Sequence, residues 1–161
     1  MTPPSRRTGW GFAPVALEDG DEYWLLVMSV CDLLEQTDCR FRIGGFGDDA
    51  WVFDIRYDTS VLLEHLPELL DHLGRGEPFE VDLASQGVER TLTFSPAGTD
   101  IEIACASRTS WVPDPAVESL PGDRLLTMLT DLAHAFAESA EAVAPEVARL
   151  PPWCGWLGLE R

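Results

Sequence analysis

The sequence contains no lysine: its eleven basic side chains are all arginine, against 28 aspartates and glutamates. Without lysine the chain can form no Schiff base, has no lysine general base and lacks the phosphate-binding lysine of a P-loop. The formal net charge of −17 repels nucleic-acid phosphates and anionic lipid. We therefore expect neither nucleic acid nor a membrane surface as a partner.

Long apolar runs are lacking too. The longest covers residues 23–31, whereas a membrane-spanning helix needs about 20 residues. Arg6 and Arg7 are followed by glycines and a proline, where a signal peptide would have its apolar core. These absences predict a cytoplasmic protein without a membrane segment.

The common signatures of catalysis and metal binding are missing as well. The cysteines are too widely spaced for a CxxC motif and have no histidine at ligand spacing. No glycine-rich phosphate loop, nucleophile elbow or His-Glu-x-x-His pair occurs. We expect no catalytic residues, no cofactor and no metal. The thiols are predicted to be free and mostly buried at Cys31, Cys39, Cys105 and Cys154.

The sequence does contain enough apolar surface for a core. Apolar residues make up 45% of the 161 residues, and six residues are tryptophan. A chain of this length suits one domain. Because proline and glycine are frequent near the N-terminus, we expect an irregular arm over 1–20 and a single domain over 21–161.

Helical periodicity predicts three helices in that domain. The first begins at Asp21 and buries one face, although its apolar centre also suits a buried strand. The second, over 58–74, has a leucine face and is expected to break at Pro67 into a turn and a short helix. The third is the longest. It is expected to begin with Asp123 as its cap and to bury Leu129 and Phe136.

Alternation with a period of two predicts an antiparallel sheet of about five strands. Two strands form a hairpin over 41–57 around a turn at 44–49, and three more follow within 79–105. The fold class is α+β, with helices, the long C-terminal one included, covering one face of the sheet. Charged and hydroxyl side chains, Arg90 among them, are expected to solvate the other face. We expect 110–121 to be a long connection and the tail over 145–161 to pack back onto the domain.

Two predicted loops combine carboxylates with aromatic residues. Asp48 and Asp49 precede Trp51 at the hairpin tip, and Asp114 follows Trp111 in the long connection. Exposed loops of this composition bind protein partners. The same residues also suit a tight turn with a tryptophan that points into the core. The candidate partner-binding residues are Asp48, Asp49, Trp51, Asp54, Asp82, Glu102, Trp111 and Asp114.

The order of elements carries a family resemblance. The chain has, in order, a strand over 51–57, a leucine-rich helix over 62–73, a meander over 77–107 with GVERTLTF at 87–94, and a long Leu/Phe helix. This order resembles that of the small acidic immunity proteins of bacterial polymorphic toxin systems, in particular those that guard wall-associated toxins. The resemblance implies no catalysis and the binding of a cognate toxin domain, whose active site is blocked. A chain of charge −17 would be steered towards a basic toxin or nuclease domain.

Our leading hypothesis is therefore a non-enzymatic acidic protein that neutralises or regulates a basic protein partner, its oligomeric state left open. A second hypothesis is a small-molecule or regulatory module whose sheet and helices enclose an apolar pocket lined by tryptophans. A third is a hydrolase in which Ser107, Thr109 or Ser110 is the nucleophile and His134 is its base, although we otherwise expect His134 to be a partly buried structural residue. An acidic surface without a deep pocket favours the first hypothesis, and a pocket of a few hundred Å³ favours the second.

Overall fold

Four strands and four α-helices, with one 3₁₀-helix, make up the part of the chain that the computed structural model describes, namely residues 1–5, 11–13, 15–17, 22–83 and 88–159. The predicted arm falls partly outside these ranges, and the described residues before 22 contain no helix or strand element. The elements are α1 (Tyr23–Glu35), α2 (Asp58–Gly74), β1 (Phe79–Asp82), β2 (Arg90–Ala97), β3 (Asp100–Ser107), β4 (Val117–Pro121), α3 (Gly122–Val143), the 3₁₀-helix (Val147–Arg149) and α4 (Trp153–Trp156).

The strands form one antiparallel sheet in the order β1-β2-β3-β4, so the predicted α+β class is confirmed with four strands in place of about five. Cross-strand pairing brings Val81, Leu92 and Cys105 into one row. Because side chains alternate along a strand, this row and the rows two residues away share the face that the helices cover. The apolar alternation that predicted β1, β2 and β3 therefore also identified their buried face.

The predicted hairpin over 41–57 is wrong, although its turn is formed. Gly45 and Asp48 exchange two backbone hydrogen bonds of 2.8 and 3.1 Å. Phe46 and Gly47 between them both have positive φ, as a two-residue hairpin turn requires. One further backbone hydrogen bond, from the Trp51 N–H to the Ile43 carbonyl at 2.9 Å, joins the flanking segments, but they do not extend into strands. The Asp54 carbonyl then accepts hydrogen bonds from the N–H (3.0 Å) and hydroxyl (2.8 Å) of Thr59, which turn the chain into α2.

Strand β4 lies in the segment that was predicted to be a connection. It pairs with β3 through Ile103 and Glu118, and its burial alternates between exposed and half-buried positions. A strand with no fully buried side chain carries only a weak alternation signal. Its last residue, Pro121, needs no partner for an N–H at the sheet edge.

Helix α2 runs through Pro67 without the predicted break. A proline in a helix removes the N–H that would bond to the carbonyl four residues earlier. Here that carbonyl belongs to Leu63, and the Tyr23 hydroxyl of α1 donates to it at 2.8 Å. The Tyr23 side chain from the neighbouring helix therefore replaces the missing backbone donor. Burial of this hydroxyl raises the pKa of Tyr23.

Helix α3 covers the sheet as predicted, but Asp123 is not its cap and it is not the last helix. Pro121 occupies the N-cap position because β4 leads straight into the helix. Asp123 lies in the first turn, where its carboxylate interacts favourably with the positive end of the helix dipole. The chain then continues into α4, whose Trp153 is fully buried, so the tail packs back on the domain as predicted.

The core consists of two clusters that share α2 and α3. One joins α1, α2, α3 and Trp153, and the other joins the sheet to α2 and α3. The predicted free thiols are confirmed, with Cys31, Cys39 and Cys105 buried and Cys154 half-buried. None of the helices within the described ranges is long and apolar enough to cross a bilayer.

Candidate functional site

A cavity of about 510 Å³ lies between the covered face of the sheet and the helices. Strands β2, β3 and β4 form one side, α2 and α3 another, and residues 41–46 a third. The exposed lining residues Arg42, Gly44, Met128 and Asp131 mark its mouth. Glu118 is the remaining charged residue in the lining. The apolar lining residues are Met1, Phe41, Ile43, Phe46, Trp51, Leu62, Leu69, Leu92, Phe94, Ile103, Leu120, Leu125, Met128, Leu129 and Leu132.

One wall of the cavity, Trp51, is held by a buried arginine. The Arg90 guanidinium carbon lies 4.1 Å from the Trp51 ring centroid and 3.7 Å from that of Trp111, so the two indoles enclose the cation. The Trp51 indole N–H also donates to the Gly45 carbonyl at 3.2 Å. A desolvated cation–π contact is worth about 2 kcal/mol. We call Trp51, Arg90 and Trp111 the Arg90 stack, and it fixes this wall in one position.

The prediction that Arg90 lies on the outer, solvent-exposed face of the sheet is wrong, because Arg90 is buried. Arg90 is 9% exposed and alternates in phase with Leu92 and Phe94 along β2, so it points to the covered face. Desolvation lowers the pKa of Arg90, and the neighbouring Cys105 and Asp48 oppose this effect. Asp48 lies 3.8 Å from Nη2, while Nε and Nη1 have no hydrogen-bond partner in the described chain. Two indole faces and the Asp48 carboxylate thus surround this charge.

The loop over 44–50 meets the chain over 110–118, which includes the start of β4, through hydrogen bonds beside the stack. The Asp114 N–H donates to the Phe46 carbonyl at 2.9 Å, and Glu118 Oε1 accepts the Phe46 N–H at 2.6 Å. Gly47 has φ = 84°, and a β-carbon there would lie 2.3 Å from the Asp114 carbonyl oxygen, so only glycine fits. Half of the predicted site residues meet at this junction, namely Asp48, Trp51, Trp111 and Asp114.

The other half of the predicted site residues lies elsewhere. Asp49 and Glu102 are exposed, and Asp54 accepts a backbone N–H at 2.6 Å just before α2. Asp82 accepts two hydrogen bonds from Arg108, of 3.0 and 3.1 Å. Because Asp82 and Glu102 lie on the outer sheet face and the Arg90 stack on the covered one, the eight residues do not form a single surface.

The outer face of α1 carries an apolar patch that the periodicity did not predict. Trp24, Leu25, Met28 and Tyr57 are each 40–43% exposed, and we call them the α1 patch. A shallow groove of about 230 Å³ between Met28 and Tyr57 includes Arg56 in its lining. The opposite face of α1 is apolar and buried. The sequence signal for this surface is the apolar run over 23–28, which is longer than one buried helix face requires.

The histidine proposed as a hydrolase base does not occupy a buried position. His134 is exposed on α3, with Nδ1 3.8 Å from Glu138 Oε2, which corrects the prediction of partial burial. Within the described ranges, no group of three or more His, Cys, Asp or Glu side chains could hold a metal ion.

Comparison with known proteins identifies no relative, so the site is interpreted from its geometry. The resemblance to immunity proteins rests on the order of elements in the sequence and stays a prediction. No protein-family model matches the chain, and no curated protein and no solved structure shows significant similarity to it.

Proposed function

We propose that this chain is a binding module for a small apolar molecule and that the cavity beside α3 is its site. The observation that carries the proposal is the cavity itself: its volume of about 510 Å³ lies within the roughly 300–1,000 Å³ of small-molecule pockets. Its lining is apolar apart from three charged residues. Of the tryptophans in the described ranges, Trp51 alone lines it, so aliphatic side chains provide most of the contact surface.

The geometry favours binding without rearrangement. Trp51 is fixed by the Arg90 stack, and the loop next to it is fixed by Glu118. A preformed wall costs little conformational entropy when a ligand binds. Each methylene group that a ligand buries there contributes about 0.8 kcal/mol.

The neutral probe n-octanol is expected to bind in this cavity. In protein labelled with ¹³C-methyl methionine, the Met128 resonance should shift because Met128 lines the cavity, and the Met28 resonance on the α1 patch should not. The melting temperature should also rise, because a probe at 100 times its Kd stabilises the folded state by about 2.7 kcal/mol. NMR titration and thermal unfolding measure both effects.

A cavity-filling variant provides the decisive comparison. Ile103→Phe places a larger side chain in the cavity wall, and displacing two methylene groups of the probe should weaken binding about tenfold. Val112→Phe, at a residue 76% exposed and outside the lining, is the matched control and should bind like the wild type. Unchanged affinity in Ile103→Phe, or a shift at Met28 without one at Met128, would refute the proposal.

The α1 patch supports a second candidate function, the non-enzymatic binding of a basic protein partner. Tryptophan, tyrosine and methionine are enriched at the centres of protein interfaces. Exposed carboxylates at Glu22 and Glu35 flank the patch along α1, and the net charge of −17 would steer a basic partner towards the chain. The resemblance to immunity proteins implies the same class of partner, a toxin or nuclease domain.

Capture of a basic protein from the source-cell lysate is expected to depend on this patch. Loss of an aromatic anchor typically costs at least about 2 kcal/mol, so Trp24→Ala should weaken capture about thirtyfold or more. Val112→Ala removes an exposed apolar side chain outside the patch and should capture normally. If Trp24→Ala retains the partner as well as this control does, the α1 patch is not the interface.

A further inference from the structure

The charged side chains of the cavity lining differ in whether they already have partners. Arg42 donates from Nε and Nη2 to the Asp49 carbonyl oxygen, at 3.3 and 3.1 Å. Glu118 accepts the Phe46 N–H through Oε1. The Asp131 carboxylate is exposed and makes no hydrogen bond or ion pair with any residue that the structure describes. Asp131 is therefore the charge at the mouth that remains open to a ligand.

The position of Asp131 on α3 connects this charge to the apolar lining. Residues three and four apart share a helix face, which places Asp131 beside Met128, at the exposed edge of the cavity lining. Leu125 and Leu132 both line the cavity, and the helix rises about 10 Å between them. A ligand can therefore extend an apolar chain along α3 while its polar end contacts Asp131.

We infer that the cavity takes an apolar chain or ring that ends in a protonated amine, with the Asp131 carboxylate as the partner of the ammonium group. This inference rests on the proposed function of the cavity. The Asp131 carboxylate lies at the mouth and the whole chain has a charge of −17, so the field there attracts a cation and repels a carboxylate ligand. The apolar part enters the cavity and the charged group stays at the mouth, in contact with water.

Three probes with the same chain test the head group, namely n-octylamine, n-octanol and sodium octanoate, each below its micelle concentration. All are titrated against ¹³C-methyl methionine protein with Met128 as the reporter and Met28 as the internal control. An ion pair near the surface changes affinity up to about fivefold, so we expect octylamine to bind about fivefold more tightly than octanol. Octanoate should bind less tightly than octanol.

Asp131→Asn is expected to reduce the affinity for octylamine to that for octanol and to leave octanol binding unchanged. Glu138→Gln is the matched control, because it removes a second exposed carboxylate from the same helix but outside the cavity lining. It should retain the preference for the amine. Both substitutions change the net charge equally, so a difference between them reports the local contact alone.

The outcomes separate this inference from the proposed function. If octanol and octylamine both shift Met128 with equal affinity, the cavity binds apolar ligands and the assignment of the amine is wrong. If the preference persists in Asp131→Asn, Asp131 is not the partner. If no probe shifts Met128 in folded protein, the proposed function itself fails and the inference fails with it.

Discussion

Replacement of Phe136 by alanine is expected to lower the free energy of unfolding by about 3–5 kcal/mol, the range for removing a buried aromatic ring. Phe136 is fully buried on α3, and its ring lies 6.1 Å from that of Trp153 in the cluster that joins three helices and the C-terminal tail. Neighbouring side chains on several elements cannot all move into the vacated space. For a chain of this size the melting temperature should fall by about 6–20 °C. Urea unfolding should show a lower midpoint with an unchanged m-value.

Leu129→Ala is the matched comparison on the same helix. The sequence predicted Leu129 to be as buried as Phe136, but it is half-buried and lines the cavity. We expect its loss to cost about 1 kcal/mol, roughly half of what a fully buried leucine contributes. A cost for Phe136→Ala below about 1 kcal/mol would place that side chain at the surface and contradict the position of α3.

Tyr23→Phe is expected to destabilise the fold by about 1–3 kcal/mol, the cost of leaving a buried carbonyl without its hydrogen bond. The hydroxyl donates at 2.8 Å to the Leu63 carbonyl, which has no helical donor because residue 67 is proline. The substitution removes only one oxygen, so the apolar contacts of the ring, including that with Trp153 at 4.9 Å, remain.

A double-mutant cycle with Pro67→Ala isolates this hydrogen bond. Alanine at 67 restores a backbone N–H for the Leu63 carbonyl, so Tyr23→Phe should cost less in that background, with a coupling energy of about 1 kcal/mol or more. The cycle is measured by urea unfolding of the four proteins. Equal costs of Tyr23→Phe with proline and with alanine at 67 would show that the hydroxyl does not substitute for the missing donor.

Local periodicity identified the elements whose two faces differ strongly in polarity. The alternation of Phe79, Val81 and Leu83 with charged residues predicted β1, and a helical spacing of leucines predicted α2 and α3. Strand β4 lacks fully buried positions, and the arms of the predicted hairpin have the right alternation but pair only close to the turn. Periodicity shows which side chains of a segment can be buried together, but it does not show which other segment of the chain packs against them.

The site residues show the same division. The sequence singled out Asp48, Trp51, Trp111 and Asp114, and the structure brings these four together. It did not identify their centre, Arg90, because burying a guanidinium is unfavourable until aromatic faces enclose it. The two indoles come from loops about 60 residues apart in sequence, and their meeting depends on the packing of the sheet against the helices.

The sequence by itself determined the α+β class, the buried faces of three strands and three helices, the burial of the cysteines and the strongly negative charge, because each follows from composition or from a period of two or 3.6 residues. Only the tertiary structure decided that α2 continues through Pro67, that Arg90 is buried, that a cavity opens beside α3 and that α1 has a second apolar face at the surface. Each of these depends on which distant side chains meet: a tyrosine hydroxyl that replaces a missing amide, two indoles that enclose a cation, and two layers that leave space between them. Those contacts form only when the chain has folded.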